Sequence, residues 1–245
     1  MSLKNKFLAL SICFIASCSS KTPEKVLSFS EQIEVDTVRA QSLYQEFQKE
    51  VTFVSLPATE KYLTGIALKL VKPIKEYQIQ KLNVKVHQDT SPDRSRFFSF
   101  PGTVLSIPQS FLKKVEFENE LAAALAFEMA NVIKRTLANR VENNNLVKPV
   151  LFGPGSFFDL ERDERTESIE LAVKLLYYAH YDTRGMPSIF QRYPQYYIKT
   201  DASDLFKKEL AFNIREAQKA KSEYLPTLKP IVRSDEFIQF KKELK

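Results

Sequence analysis

Apolar positions along the chain switch between a continuous run, a helical period and a strict alternation. Phe7 to Ala16 is an almost wholly apolar run behind Lys4 and Lys6, too short to span a bilayer and shaped like the core of a secretory signal. Glu31 to Lys49 places Ile33, Val38, Leu43 and Phe47 at helical spacing. Pro57 to Ile74 predicts a second helix with Pro57 near its start and Leu63, Ile66, Leu68 and Val71 inward. Leu82 to His87 alternates apolar and polar, the mark of a half-buried strand. Ser91-Pro92-Asp93 predicts a turn, and Phe97 to Ile107 one or two short strands broken at Pro101-Gly102. A long central helix is predicted from Glu118 to about Asn143, then a loop through the Asn143 triplet and the Pro149 to Gly155 stretch. Further helices are predicted over Leu160–Ala179, Ser203–Lys221 and Asp235–Leu244, with a turn at Tyr181-Asp182. The fold class is α+β, mostly helical, with a small sheet.

The apolar run ends in Ile15-Ala16-Ser17-Cys18, which resembles the lipobox of bacterial lipoproteins. The resemblance implies cleavage before Cys18 and acyl chains on its sulfur, giving a firm membrane anchor. Residues 1–17 are then a signal peptide, 18–29 a lipidated tether containing Pro23, and 30–245 the folded domain. Ser19 and Ser20, rather than Asp, follow the cysteine and resemble an address for the periplasmic side of the outer membrane. Cys13 lies within the signal and Cys18 carries lipid, so no disulfide framework is expected.

Composition narrows the choice of partners. Hydrophobic residues make up 44% of the chain, enough for a sizeable core, and glycine is scarce at 5, which favours helices. The net charge is +6, but basic and acidic residues interleave, as in Lys113 and Lys114 before Glu116, Glu118 and Glu120. That is a solvated mixed surface, so no nucleic-acid partner is expected.

Three ordered segments carry a second resemblance. Arg96 to Ile107 contains Ser99-Phe100-Pro101-Gly102. Glu120 to Arg135 contains Leu121-Ala122-Ala123-Ala124-Leu125-Ala126-Phe127-Glu128-Met129-Ala130-Asn131. Glu167 to Ala172 is followed by Ala179-His180-Tyr181-Asp182. Together they resemble the HtpX/Oma-like gluzincin metallopeptidases, including their bacterial periplasmic lipoprotein branch. The resemblance implies a gluzincin-type metallopeptidase fold with the small sheet packed beside the active-site helix. It also implies that Val104, Leu105, Ser106 and Ile107 form a sheet edge where an extended substrate could add as a further strand.

In that family zinc is held by two histidines of one helix and a glutamate of the next, positions that here are Phe127, Asn131 and Glu167. Phe127 has no lone pair, and the amide oxygen of Asn131 is a poor zinc ligand beside imidazole. Glu128 matches the general base but would have no metal-bound water to deprotonate. The supporting Asp is replaced by Ile169, a glycine by Ala172, and a later His-Pro by Glu209-Leu210. His87 reads as a surface or strand-end histidine, and His180 stands at the Tyr-Asp turn far along its helix from Glu167. Glu128 and Glu167 could approach as an acid–base pair, or be neutralised by a cation or by protonation, with Arg215 a candidate partner. Phe127 could fill the vacated space, with burial contributing about 2 kcal/mol.

The expected function is that of a catalytically inactive metallopeptidase-like envelope lipoprotein. It would have no cofactor, and would bind extended or unfolded polypeptide at the former cleft. The alternative is an active zinc metalloendopeptidase of envelope protein quality control with atypical ligands. A purely structural lipoprotein is the third reading.

Overall fold

In a computed structural model, the structure describes residues 27–77, 79, 81–89, 97–100, 104–136, 138–139, 160–196 and 204–244. Cys18, the tether up to residue 26, the Ser91 turn, Pro101-Gly102 and the loop through residues 143–155 lie outside the described residues. The chain is α+β and mostly helical, at 65% helix, with one small mixed sheet.

Helix α1 (Phe29–Arg39) begins with a capping box between Ser28 and Glu31, which satisfies backbone donors at both residues. The single helix expected over 31–49 is two: α1 ends at Ala40 and α2 (Gln41–Glu50) continues from it. The break turns Val38 outward, to 72% exposure, while Ile33 and Phe47 stay buried. Strand β1 (Phe53–Val54) follows, then α3 (Pro57–Val71), whose proline sits in the first turn where no amide donor is missed. Strands β2 (Asn83–His87), β3 (Phe98–Phe100) and β4 (Val104–Pro108) complete a sheet of order β1-β2-β4-β3.

The sheet is buried on both faces. β2 runs parallel to β4 with Val84 opposite Leu105 and Val86 opposite Ile107. Those four side chains join the main core, which includes the apolar sides of α3 and of α5 (Glu118–Ile133). The opposite face carries His87, Ser106, Phe98 and Phe100, because strand side chains alternate. Helix α2 covers that face with Phe47, whose ring centroid lies 4.3 Å from Phe98 and 5.0 Å from Phe100.

After the short α4 (Gln109–Lys114), α5 forms the centre of the molecule, and every one of its residues is buried. It packs on α3, β3, α6 (Arg162–Tyr178) and α7 (Gly185–Tyr196). α7 was not foreseen from periodicity, since Pro187 and Pro194 interrupt its pattern. Gly185 opens it because a Cβ there would press into the backbone carbonyl of Asn119. Helices α8 (Asp204–Ser222) and α9 (Asp235–Glu243) close the fold as expected from their amphipathic pattern.

Two ends of α5 depart from the simple reading. At its start Glu118 Oε2 accepts from the Ser234 amide at 2.7 Å, and Glu120 Oε1 accepts from Ser188 Oγ at 2.6 Å. These carboxylates satisfy neighbours at the positive end of the helix dipole. At its far end α5 stops at Ile133, at a turn where Arg135 has φ 56°, and helical residues resume at Thr136 beyond it, so the long helix expected to about Asn143 is broken there. An arginine is unfavourable in left-handed backbone. Its guanidinium is held by Asp36 of α1 through bonds of 2.7 and 2.8 Å, fixing the turn from across the fold.

Candidate functional site

The sequence-selected helix α5 supplies Phe127, Glu128 and Asn131, with 2%, 0% and 3% exposure. Their burial follows from the helix itself: flanking Ala and Leu residues leave no polar face, so each side chain must find a partner inside the protein. Phe127 packs edge-on to Phe190 of α7 at 6.3 Å between centroids. Asn131 Oδ1 accepts from Ser168 Oγ of α6 at 2.9 Å.

Glu128 points into the junction of α5 with the sheet, near Ser99 of β3. The Ser99 and Asn131 side chains face the carboxyl, but neither forms a well-aligned hydrogen bond with its oxygens. Burial pushes the Glu128 pKa up to about 8; the nearby Ser99 and Asn131 side chains oppose this but do not overcome it. At neutral pH the carboxyl is therefore protonated. It is a neutral polar group in an apolar wall, and it cannot accept a proton from water in that state.

Glu167 does not join it. The face of α6 that meets the core is Arg165, Ser168, Ile169, Ala172 and Val173, and Glu167 lies off that stripe. Its side chain is 63% exposed and ion-paired with Lys134 just beyond α5. The possible Glu128–Glu167 pair is thus not formed: one carboxyl is protonated by burial and the other neutralised by a lysine. Arg215 is not their partner either, since it is 69% exposed and pairs with Glu216.

The buried cation is Arg165, missed by the sequence reading. It is 3% exposed and bonded to Glu209 of α8, which also accepts from Arg162 at 2.6 Å. Hydrogen bonds from the two guanidinium groups hold the Glu209 carboxyl down at about 2. Three guanidinium groups surround the Phe212 ring: Arg162 at 5.0 Å, Arg165 at 5.4 Å and Arg215 at 5.2 Å from its centre. Glu209, read as a departure from His-Pro, is the centre of this cluster. Only the spacing of Arg162 and Arg165, on one side of a helix, could have hinted at it.

These residues do not fit zinc. Phe127 offers no donor, Asn131 spends its oxygen on Ser168, and Glu167 is turned to Lys134. Among the described residues no three His, Cys, Asp or Glu side chains gather as a metal cage. His87 corrects the surface assignment: it is fully buried on β2, with Nδ1 2.7 Å from Ser106 Oγ and its ring edge-on to Phe98. His180 is exposed in left-handed backbone, φ 62°.

The expected binding strand needs a larger correction. Val104, Leu105, Ser106 and Ile107 lie on β4, which pairs with β2 on one side and β3 on the other. β4 is interior, and Leu105, Ser106 and Ile107 are buried. Both sides of β4 are taken, by β2 and by β3, so no further strand can add to it. Among the described residues the outermost strand on this side is β3. Only Val104 reaches a surface, a cavity of about 300 Å³ shared with Thr37, Val38, Gln41, Tyr44 and Phe100.

No protein-family model matches this chain, and no curated protein matches it.

Proposed function

We propose that the protein is an envelope lipoprotein, anchored through Cys18 on the periplasmic side of the outer membrane. Its metallopeptidase-like domain holds polypeptide without cutting it. The family resemblance, the gluzincin fold and the lipid anchor rest on the sequence motifs. The observation that carries the non-catalytic reading is the state of Glu128: fully buried, faced by the Ser99 and Asn131 side chains, and with its pKa raised to about 8. A base for water activation must be ionised and within reach of its proton. Glu167, held by Lys134, supports the same conclusion.

The binding surface is the groove between α1, α2 and the ends of β3 and β4, lined by Val38, Tyr44, Phe100 and Val104. An extended segment can lie there with its apolar side chains against those residues. Two measurements test the reading together. Metal analysis of purified protein should give no stoichiometric zinc; zinc lost on Glu167→Ala would establish the metallopeptidase alternative. Fluorescence anisotropy with labelled extended apolar peptides should show binding that Val38→Asp weakens; unchanged binding would remove the groove from the account.

A further inference from the structure

The loop after α8 carries the two most exposed large apolar side chains among the described residues, Leu225 at 81% and Leu228 at 93%. Burying a leucine is worth a factor of ten or more in equilibrium terms, so two of them held in water on one short loop call for an occupant. The loop is not loose at its base. Ile231 bridges Tyr181, its amide donates to the His180 carbonyl at 2.8 Å, and its carbonyl accepts from Asp182 at 3.0 Å. Pro226 and Pro230 restrict the chain between, and Lys229 adopts φ 52°.

What surrounds the leucines identifies the occupant. Tyr224 packs at a tilt against Tyr177, 4.7 Å between ring centres, and Tyr177 in turn lies 5.4 Å from Tyr178, which is 47% exposed. Tyrosine rings with one apolar body and one wet hydroxyl gather at the level of lipid head groups. Lys219, Lys221 and Lys229 stand in these segments beside Glu223 and, further back, Glu170, while Arg184 is ion-paired with Asp182, so the rim keeps a small positive excess carried by the lysines. A cavity of about 500 Å³ opens beside the loop between Arg184, Lys221, Tyr224 and Thr227. Apolar tips, a tyrosine ring and a basic rim are the layered order of a bilayer surface met from the water side.

We infer that residues 224–229 are a membrane-docking loop, with Leu225 and Leu228 entering the acyl boundary of an anionic lipid surface and the basic rim facing its head groups. This deepens the anchored-lipoprotein reading by giving the domain a second, reversible contact and a fixed orientation. A tether of 18–26 reaches at most about 30 Å, so a domain held by it stays within range of the bilayer.

The test leaves the lipid anchor out, so that its failure is separate from a failure of the anchor. Every buried core residue described lies at Ile33 or beyond, so the chain from residue 18 with Cys18→Ser keeps the whole core. Its co-flotation with vesicles of phosphatidylcholine containing 30% phosphatidylglycerol is compared with Leu225→Asp/Leu228→Asp and with Ile238→Asp, an exposed apolar position on α9. The parent and Ile238→Asp should bind, more weakly in high salt, and the double variant should bind at least about tenfold less. Circular dichroism melting of the double variant should be unchanged, because both leucines are exposed. Absence of binding by the parent, as expected if the leucines instead meet a protein, would overturn the inference, as would equal binding by the double variant.

Discussion

Replacing Glu128 with glutamine should stabilise the protein, and by an amount that grows with pH. In the unfolded chain a glutamate titrates at about 4.5; in the fold burial raises this to about 8. Between those values the folded state holds one more proton than the unfolded state. Stability is therefore greatest below about pH 4.5 and falls as pH rises through about 8, by about 1.4 kcal/mol per unit. At pH 7 the cost of keeping Glu128 protonated is about 3 kcal/mol, and above pH 8 it levels off at about 5 kcal/mol. Glutamine keeps the shape but has nothing to ionise. Urea unfolding of parent and Glu128→Gln from about pH 5 to 9 measures the difference, in which all other titrating groups cancel. The gap should widen from below about 1 kcal/mol at the acid end to several at the alkaline end. A constant offset across that range would refute the reasoning, because Glu128 would then be as ionised folded as unfolded.

Arg165→Ala should cost about 2–3 kcal/mol in chemical denaturation, since Glu209 would keep only the exposed Arg162 as partner; Arg215→Ala should change stability by less than about 0.5 kcal/mol. Gly185→Ala should lower the melting temperature by several degrees, because the added methyl meets the fixed carbonyl of Asn119. The double change Phe127→His/Asn131→His should bind zinc weakly in isothermal titration, and adding Lys134→Ala, which releases Glu167, should tighten it; equal affinity with and without Lys134 would show that Glu167 is not within reach.

Local pattern carried the elements whose fate is decided locally. α3, β2, α6, α8 and α9 fall within a few residues of their expected ends because proline, alternation and amphipathic stripes set them. The break after α5 did not show, since nothing near Arg135 marks it; the residue that holds the turn, Asp36, is far away in sequence. Strand order was hidden for a related reason. Whether β4 is an edge depends on β3 folding back on it, and alternation reads one strand at a time. The candidate site was legible as residue types: Phe127 as core, Glu128 as a carboxyl on the central helix. Its geometry was not, because a shift of one position around α6 exchanges Glu167 for Ser168 as the neighbour of α5. Arg165 escaped notice because charge on a polar helix gives no sign of burial until its partner Glu209 is placed beside it.

The Asp36–Arg135 bond also sets how the domain bears load. A pull applied ahead of residue 27 enters through α1, where Ile33 and Asp36 are the buried grips. The two parallel bonds to Arg135 pass that pull directly to the end of the central helix, so α1 resists peeling from the sheet side as a hinged flap would not. Asp36→Asn, which keeps the side chain's shape but removes its charge, should lower the force at which α1 detaches, making this ion pair the mechanical fuse between whatever holds the N-terminus and the core.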